Sequence, residues 1–121
     1  IWGGISGCQH GFPLLLSEAL KRGERGEVLS RFARLLASNV ARRFRLADRK
    51  GSIEVGLDAD FSLLRLDDTR SLSNDDLLYR HRQGPYDGRA CSVRILETRL
   101  RGERADGSRG RFLRPYNPSH A

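Results

Sequence analysis

Apolar residues in the first 47 positions recur three and four places apart, the spacing of helices with one buried face. A first helix is predicted with Pro13 in its first turn and a stop at Gly23. A second is predicted to begin near Glu27, and a third, short helix is predicted with Ser38 as its N-cap. The apolar members are Leu14, Leu15, Ala19 and Leu20 in the first helix, Val28, Phe32, Leu35 and Leu36 in the second, and Val40, Ala41 and Phe44 in the third.

The pattern of apolar and polar residues changes at Gly51, and after this residue it predicts strands and turns. Ile53 and Val55 alternate with polar neighbours, as strand residues do, and residues 56–58 (GLD) indicate a turn. Residues 61–66 (FSLLRL) predict a strand that is buried on much of both faces.

The second half of the chain is predicted to contain more loop than strand. Residues 69–90 are rich in Ser, Asp, Arg and Gly, and we expect mostly loop there, with one helical turn at residues 75–79. Alternation over residues 93–100 indicates one or two further strands, closed by Gly102, and the tail from Asp106 is expected to be irregular. Helices first and strands second make the predicted fold class α+β.

Length and composition limit the classes of protein to which the chain can belong. Its 121 residues, 38% apolar and 31% charged, suit one domain and exclude a complete (β/α)₈ barrel, which needs about 250 residues. No apolar run approaches the roughly 20 residues of a membrane span, so we expect no membrane partner. Cys8 and Cys91 form no CxxC, which favours two reduced thiols and a cytoplasmic location. Because the chain lacks Met and opens on Ile1, we expect it to be a piece of a longer protein.

The net charge of +7 raises the possibility of nucleic-acid binding, and 20 of the 22 basic residues are arginines. The charge is uneven, with a net +6 over residues 1–50, −5 over 51–78 and +6 over 79–121. No RNP-like aromatic motif, zinc-finger spacing or basic zipper accompanies the arginines, and arginines at helix ends also stabilise the helix dipole. The sequence therefore does not favour nucleic acid as a partner.

A search for catalytic and metal-binding motifs is largely negative. His10, His81 and His120 form no metal-ligand spacing, and no serine lies in a GxSxG elbow. Asp58 and Asp60 would share one face of a strand and could act as acid and base, but aspartates beside a turn commonly bond turn amides, and we favour that interpretation.

The glycine-rich residues 3–7 predict a turn, whose backbone could closely approach a ligand or a neighbouring strand. Their spacing is neither the GxGxxG fingerprint nor the P-loop motif, so no phosphate cradle is implied.

Several separated motifs resemble those of the cyclic amidohydrolases, the group that includes dihydroorotase, dihydropyrimidinase (hydantoinase) and allantoinase. Residues 39–60, which end in KGSIEVGLDAD, resemble the segment that joins the barrel to the small β-domain in that group. Residues 2–16 (WGGISGCQHGFPLLL) look like the allantoinase loop after the last barrel strand, and residues 77–89 (LLYRHRQGPYDGR) are similar to another allantoinase loop. The resemblance spans residues 1–114, with the motifs in the family's order.

The resemblance implies a fold that is incomplete on its own. Residues 1–50 would be the C-terminal end of a (β/α)₈ barrel, with its last βα loop and helices, and residues 51–121 part of the small β-sandwich domain with an irregular tail. The implied reaction is the hydrolytic opening of allantoin or a related cyclic ureide or hydantoin at a binuclear metal centre, usually zinc. The family's metal ligands all precede the matching region, so this chain alone is expected to bind no metal and to be inactive.

One element of the family's site carries over by resemblance to this chain. Gly3, Gly4, Ile5 and Ser6 match the loop whose main-chain groups bind the cyclic amide ring; the alternative for these residues is a plain tight turn. Two other functions stay open: a non-catalytic structural or partner-binding module, and a basic nucleic-acid-binding protein. Because helices of a barrel fragment would leave apolar faces exposed, we also expect a homo-oligomer or another association through those faces.

Overall fold

The computed structural model describes residues 7–105, 107 and 110–115, and in that range helices precede strands. The helices are α1 (Gly11–Leu20), α2 (Arg25–Ala33) and α3 (Asn39–Arg43), with a π-helical turn (Arg34–Ser38) between the last two. The strands are β1 (Phe61–Arg65), β2 (Arg70–Ser71), β3 (Ala90–Cys91), β4 (Arg94–Leu100) and β5 (Glu103–Arg104), and a 3₁₀ turn lies at Asn74–Asp76. This order confirms the α+β class.

Helix α1 buries Leu14 and packs Leu20 against the core as predicted, but it differs from the prediction at Leu15. Leu15 was expected in the buried face but is 66% exposed, whereas its neighbour Leu16 is 1% exposed. Pro13, Leu14 and Ser17 are the other buried residues of the helix. Three consecutive leucines at 14–16 give no unique helical face, so the apolar pattern alone could not decide which of them points outward.

Helices α2 and α3 are parts of one continuous helical run, which corrects the prediction that Ser38 caps a separate helix. Glu24 caps the start of α2, because its side chain accepts a hydrogen bond from the Glu27 N–H at 2.9 Å. Ser38 has a helical φ of −69° and makes no side-chain cap bond. Backbone hydrogen bonding therefore continues through the π-helical turn instead of ending at Ser38.

The apolar stripe of the second helix is buried over only part of its length. Val28 and Phe32 pack against the core as predicted, but Leu35 and Leu36 are 54% and 53% exposed. The π-helical turn has more residues per turn than an α-helix, so it rotates the residues that follow out of the α-helical stripe. Of the three apolar residues predicted for the third helix, Ala41 is buried, whereas Val40 and Phe44 are exposed.

The strands form two small antiparallel sheets. The larger has the order β1-β4-β5, and the smaller pairs β2 with β3. Strand β1 was expected to be buried on much of both faces, but only Leu64 of its two leucines packs on the core, and Leu63 is exposed. The predicted closure at Gly102 is a tight hairpin between β4 and β5, with Arg101 and Gly102 both at positive φ.

Residues 51–60 contain no strand, although Ile53 and Val55 alternate with polar neighbours. Both side chains are exposed, and the chain turns at Gly56, where the Leu57 N–H donates to the Glu54 carbonyl at 3.2 Å. An alternating pattern needs a partner strand to become a sheet, and the described residues place none beside this segment.

One hydrophobic core joins the helices to the strands. Its buried members come from α1 and from the region around β2 and β3: Leu14, Leu16, Leu72, Cys91 and Val93. Both cysteines are free, with Cys8 exposed and Cys91 buried. Every helix within the described ranges is too short or too polar to cross a membrane.

Candidate functional site

The four residues predicted to contact substrate, Gly3, Gly4, Ile5 and Ser6, lie outside the described residues. The chain directly after them is described and turns at once into α1. The Gly11 N–H donates to the Gly7 carbonyl at 2.6 Å, and the Leu14 N–H donates to the His10 carbonyl at 3.0 Å. The candidate site is therefore described from its C-terminal side, through residues 7–10.

Gln9 connects this segment to a loop about 70 residues further along the chain. Its side-chain Nε2 donates to the Asp76 carbonyl at 2.8 Å, and its Oε1 accepts from the Leu78 N–H at 2.9 Å. The Gln9 backbone N–H donates to the Tyr79 hydroxyl oxygen at 2.5 Å. The amide side chain thus pairs with backbone groups of the loop as a neighbouring strand would, through one donor and one acceptor.

The loop that receives Gln9 is itself held closed at both ends. The Leu72 N–H donates to the Arg89 carbonyl and the Gly88 N–H to the Leu72 carbonyl, each at 2.9 Å. Inside the loop, the Asn74 N–H donates to the Asp87 side chain at 2.8 Å, and Leu77 is buried. Residues 76–79 are therefore a fixed support rather than a loose loop tip.

The predicted helical turn and a cluster of aromatic and basic side chains at residues 79–82 (YRHR) both fall in this loop. The 3₁₀ turn lies at Asn74–Asp76, slightly before the predicted residues 75–79, and Ser73 caps it by accepting from the Asp75 N–H at 3.1 Å. In the cluster, Tyr79 contacts Gln9, whereas Arg80, His81 and Arg82 are exposed. The structure thus assigns the tyrosine to the Gln9 contact and the other three residues to the surface.

His10 is a buried polar group beside the candidate site. The residue is 5% exposed, and its Nε2 makes no hydrogen bond to the described residues. It occupies the N-cap position of α1 but makes no side-chain cap bond. Sequence reasoning considered this histidine only as a metal ligand and did not predict its burial.

Asp58 and Asp60 converge on one lysine, Lys50. The Lys50 Nζ lies 2.8 Å from Asp58 Oδ2 and also forms an ion pair with Asp60 Oδ2. The second Asp60 oxygen, Oδ1, accepts from the Arg101 N–H at 2.7 Å, and Arg49 lies 3.1 Å from Asp58. Both carboxylates are therefore engaged in holding the turn and the β4–β5 hairpin, which favours the structural interpretation over an acid–base pair.

The ion pairs shift the protonation equilibria of this cluster. The hydrogen bond from Lys50 lowers the pKa of Asp58 below its ordinary value; burial opposes it, and the positive charges of Lys50 and Arg49 assist it. Burial alone would lower the pKa of Lys50, but hydrogen bonds and charges from Asp58 and Asp60 outweigh it and raise that pKa. Asp58 is thus held as a carboxylate at neutral pH and cannot donate a proton there.

The described part of the chain does not fit a metal centre. Across residues 7–105, 107 and 110–115, no three side chains of His, Cys, Asp or Glu lie together in an arrangement that could hold a metal ion. The carboxylates of Asp58 and Asp60 are neutralised by lysine and arginine side chains.

The Gln9 contact was not predicted from the sequence. Gln9 and residues 77–79 both belong to motifs that resemble allantoinase loops, but nothing in the spacing shows that segments 70 residues apart meet. The signal available in the sequence was chemical: Leu77 and Tyr79 are large side chains in a stretch whose other residues are mostly polar.

Relatives with sequence similarity over most of this chain are allantoinases. The chain is 45% identical over 101 residues to the allantoinase of Bacillus licheniformis, and the match covers 84% of this chain and 22% of that protein. It is 46% identical over 121 residues to the allantoinase of Rubrobacter xylanophilus, covering 94% of this chain and 26% of that protein. The chain therefore spans about a quarter of the length of the curated relatives that it matches.

A solved structure with the same fold is the L-hydantoinase (dihydropyrimidinase) from Arthrobacter aurescens. It is 26% identical to this chain with a TM-score of 0.76, and the match covers 84% of this chain and 22% of the hydantoinase chain. No family model matches the chain. These similarities favour neither the nucleic-acid-binding alternative nor the non-catalytic module.

Proposed function

We propose that this chain, which fits a C-terminal segment of an allantoinase-like amidohydrolase, contributes to an enzyme that opens the ring of allantoin or a related cyclic ureide or hydantoin by hydrolysis. The observation that carries the proposal is sequence similarity to allantoinases along nearly the whole chain, joined to the fold shared with a hydantoinase. The Gln9 contact supports it, because it links the two motifs that resemble allantoinase loops.

The proposal divides the chain into two parts with different roles. Residues 1–50 would complete the C-terminal end of a (β/α)₈ barrel, and residues 51–121 would form part of a small β-sandwich domain. The change from helices to strands after residue 50 supports this division. Active sites of such barrels lie at the C-terminal face, where the loops that follow the strands meet, and the Gly3–Ser6 turn would be one of those loops.

In this proposal Gly3, Gly4, Ile5 and Ser6 bind the substrate ring through their main-chain groups. A cyclic ureide presents alternating N–H and C=O groups in one plane, and backbone C=O and N–H groups pair with that edge at close range. Glycine suits the first two positions because the absence of a Cβ lets the backbone approach the ring.

The metal of the intact enzyme, for which we propose a binuclear zinc centre, would be held by residues outside this chain. When bound, it would activate water and polarise the scissile carbonyl. This chain would supply substrate-binding backbone groups and their support, so the isolated 121 residues are expected to show no ring-opening activity with added zinc. Turnover of allantoin by the purified chain would contradict that expectation.

Association is a further part of the proposal. Four apolar side chains are exposed between the π-helical turn and the residue that follows α3: Leu35, Leu36, Val40 and Phe44. Exposed apolar side chains in such number are typical of surfaces that become covered. We propose that the longer enzyme or a second copy of this chain covers these side chains. We also propose that the protein is cytoplasmic. Sedimentation of the isolated chain at several concentrations tests this, and a monomer at all of them would contradict self-association.

The decisive experiment transplants the chain into a related enzyme. The matched segment of the Rubrobacter xylanophilus allantoinase is replaced by this chain, and the same exchange is made in the Bacillus licheniformis relative as a second host. We expect both folded chimeras to open allantoin, while a control truncated at the start of the matched segment is inactive. Chimeras that fold, as judged by circular dichroism, but hydrolyse neither allantoin nor hydantoin would overturn the proposed function.

A further inference from the structure

We propose that Lys50 and Asp60 form a latch that holds the turn of the β4–β5 hairpin, and that this hairpin opens as a local unit when the latch is removed. Lys50 lies in the turn that follows α3, and Asp60 directly precedes β1. The latch therefore connects the helices to the far edge of the larger sheet, where β5 lies. It is a conformational device of the fold and does not depend on the proposed function.

The first support is the unfavourable backbone conformation at the tip of the hairpin. The turn consists of Arg101 and Gly102, whose φ angles are both positive, +53° and +81°. Positive φ at both residues of a two-residue turn is the mark of a type I′ turn, whose first position is usually Asn, Asp or Gly. Arginine is strained there, because its Cβ crowds the backbone at positive φ. Arg101 therefore needs contacts from outside the turn to keep this conformation.

The second support is a pair of hydrogen bonds that hold this turn from outside. The Arg101 N–H donates to Asp60 Oδ1 at 2.7 Å, and the Gly102 N–H donates to the Ala59 carbonyl at 2.8 Å. Both acceptors lie in the two residues directly before β1, so one short segment fixes both residues of the turn. The bond to Asp60 is the stronger kind, because its acceptor is a carboxylate.

The third support is the way in which Asp60 is itself held. Its other carboxylate oxygen, Oδ2, forms an ion pair with Lys50 Nζ. The Lys50 and Asp60 side chains are only 17% and 24% exposed, so water and salt screen this pair less than a surface pair. The backbone beside them is closed as well, since the Asp58 N–H donates to the Arg49 carbonyl at 2.9 Å. Lys50 thus positions the carboxylate that holds Arg101.

The arm of the hairpin beyond the turn is short. Strand β5 comprises two exposed residues, whereas β4 is also paired with β1 over most of its length. The Ala105 N–H donates to the Thr98 carbonyl at 2.8 Å, which makes it a reporter of whether the arm is closed. Short, exposed arms open at lower free energy than the strands of a larger sheet, so loss of the latch should release β5 before it affects β1 and β4.

The test is amide hydrogen exchange of the 121-residue chain, followed residue by residue by NMR at pH 7. Asp60→Ala is expected to raise the exchange rates of the Gly102 and Ala105 N–H groups at least tenfold, and those of the amides between β1 and β4 by a clearly smaller factor. Equal factors in the two places would show a loss of global stability alone and would overturn the latch.

Two milder variants separate the two contacts of Asp60 and keep the test decisive if Asp60→Ala does not fold. Asp60→Asn keeps an acceptor for the Arg101 N–H but loses the charge that pairs with Lys50, and Lys50→Gln removes that pair from the other side. Each is expected to raise the exchange rate of the Ala105 N–H by a smaller factor than Asp60→Ala. An unchanged rate in both variants would mean that Lys50 has no part in holding the hairpin.

A rescue experiment tests the strain at Arg101. Arg101→Gly relieves the unfavourable φ, so in the Asp60→Asn background it should slow the exchange of the Ala105 N–H at least threefold. Arg45→Gly is the matched control, because Arg45 also has a positive φ, +55°, but lies just after α3 and outside the hairpin. It should leave the exchange of the Ala105 N–H unchanged. A rescue by Arg101→Gly no larger than that by Arg45→Gly would disprove the role of the latch in holding a strained turn.

Discussion

The Ser92 N–H donates a hydrogen bond of 3.0 Å to the Ser17 hydroxyl, and the two hydroxyl oxygens lie 2.9 Å apart. Ser17 lies in the middle of α1 with no exposed surface, and Ser92 lies between β3 and β4. These contacts tie the helical half of the chain to the strands at the edge of the apolar core.

Ser17→Ala is expected to lower the free energy of unfolding by about 1–3 kcal/mol, because the Ser92 N–H would lose its acceptor in a largely buried position. Urea unfolding followed by circular dichroism measures the change. The control is Ser30→Ala, which removes an exposed serine hydroxyl from α2 and should change stability by less than about 0.5 kcal/mol. Equal effects of the two substitutions would contradict a structural role for the Ser17–Ser92 contact.

Gly51 is a second point at which helices and later residues meet closely. Its φ is +98°, and a Cβ added there would lie 2.7 Å from the Cβ of Ala41 and 3.1 Å from the Cα of Ser38. Gly51→Ala is therefore expected to combine backbone strain of about 1–2 kcal/mol with an overpacking penalty of about 1–3 kcal/mol. Thermal unfolding of the two proteins measures the sum.

Gly56→Ala separates these two contributions. Gly56 has nearly the same φ, +97°, but a Cβ there meets no atom within 4 Å. This variant should therefore show the backbone strain alone and unfold at a temperature between those of the wild type and Gly51→Ala. If Gly51→Ala and Gly56→Ala were equally stable, the close packing of Gly51 against Ala41 would be disproved.

The sequence predicted the structure correctly where residues close together in the chain determine it. The stop of α1 before Gly23, the strand that begins at Phe61 and the hairpin at Gly102 are each determined by residues within a few positions. Ile53 and Val55 show the opposite case, because an alternating pattern forms a strand only if another strand is available to pair with it. The two-residue strands β2 and β3 were missed for the same reason, since the contact between positions 70 and 91 is not local.

The sequence identified separate segments of the candidate site but not the contacts between them. Gln9 and the 77–89 motif could each be recognised, but the three hydrogen bonds between them depend on how α1 packs against the loop after β2. Asp58 and Asp60 were correctly associated with a turn. Their shared partner Lys50 lies eight and ten positions away, across that turn, and a spacing argument does not identify it.

Lys50 makes stability depend on pH at both ends of the scale. The pKa of Asp58 is lowered in the folded chain, so its contribution is present above its ordinary value of about 4 and is lost as the pH falls through the lowered value. The pKa of Lys50 is raised, so its contribution is present below about 10.4 and is lost as the pH rises through the raised value. Lys50→Gln should therefore destabilise the chain clearly at pH 7 and by a smaller amount at pH 3, as measured by urea midpoints.

Lys21→Gln is the matched control for that experiment, because Lys21 is the only other lysine of the chain. It forms an exposed ion pair with Glu18 one turn away, and pairs of this kind contribute little to stability. Its substitution should shift the urea midpoint slightly at either pH. A deficit of Lys50→Gln that stays constant between pH 7 and pH 3 would contradict the role of the Lys50–Asp58 pair.

The adjacent leucines of α1 give a direct test of the orientation of that helix. Leu16 is 1% exposed in the core and Leu15 is 66% exposed. Leu16→Ala should lower the free energy of unfolding by about 2–5 kcal/mol, because it removes buried methyl groups and leaves a cavity. Leu15→Ala removes the same atoms from the surface and should change it by less than about 0.5 kcal/mol. Urea unfolding of the two variants under one set of conditions compares them, and a larger loss in Leu15→Ala would mean that α1 presents its other face to the core.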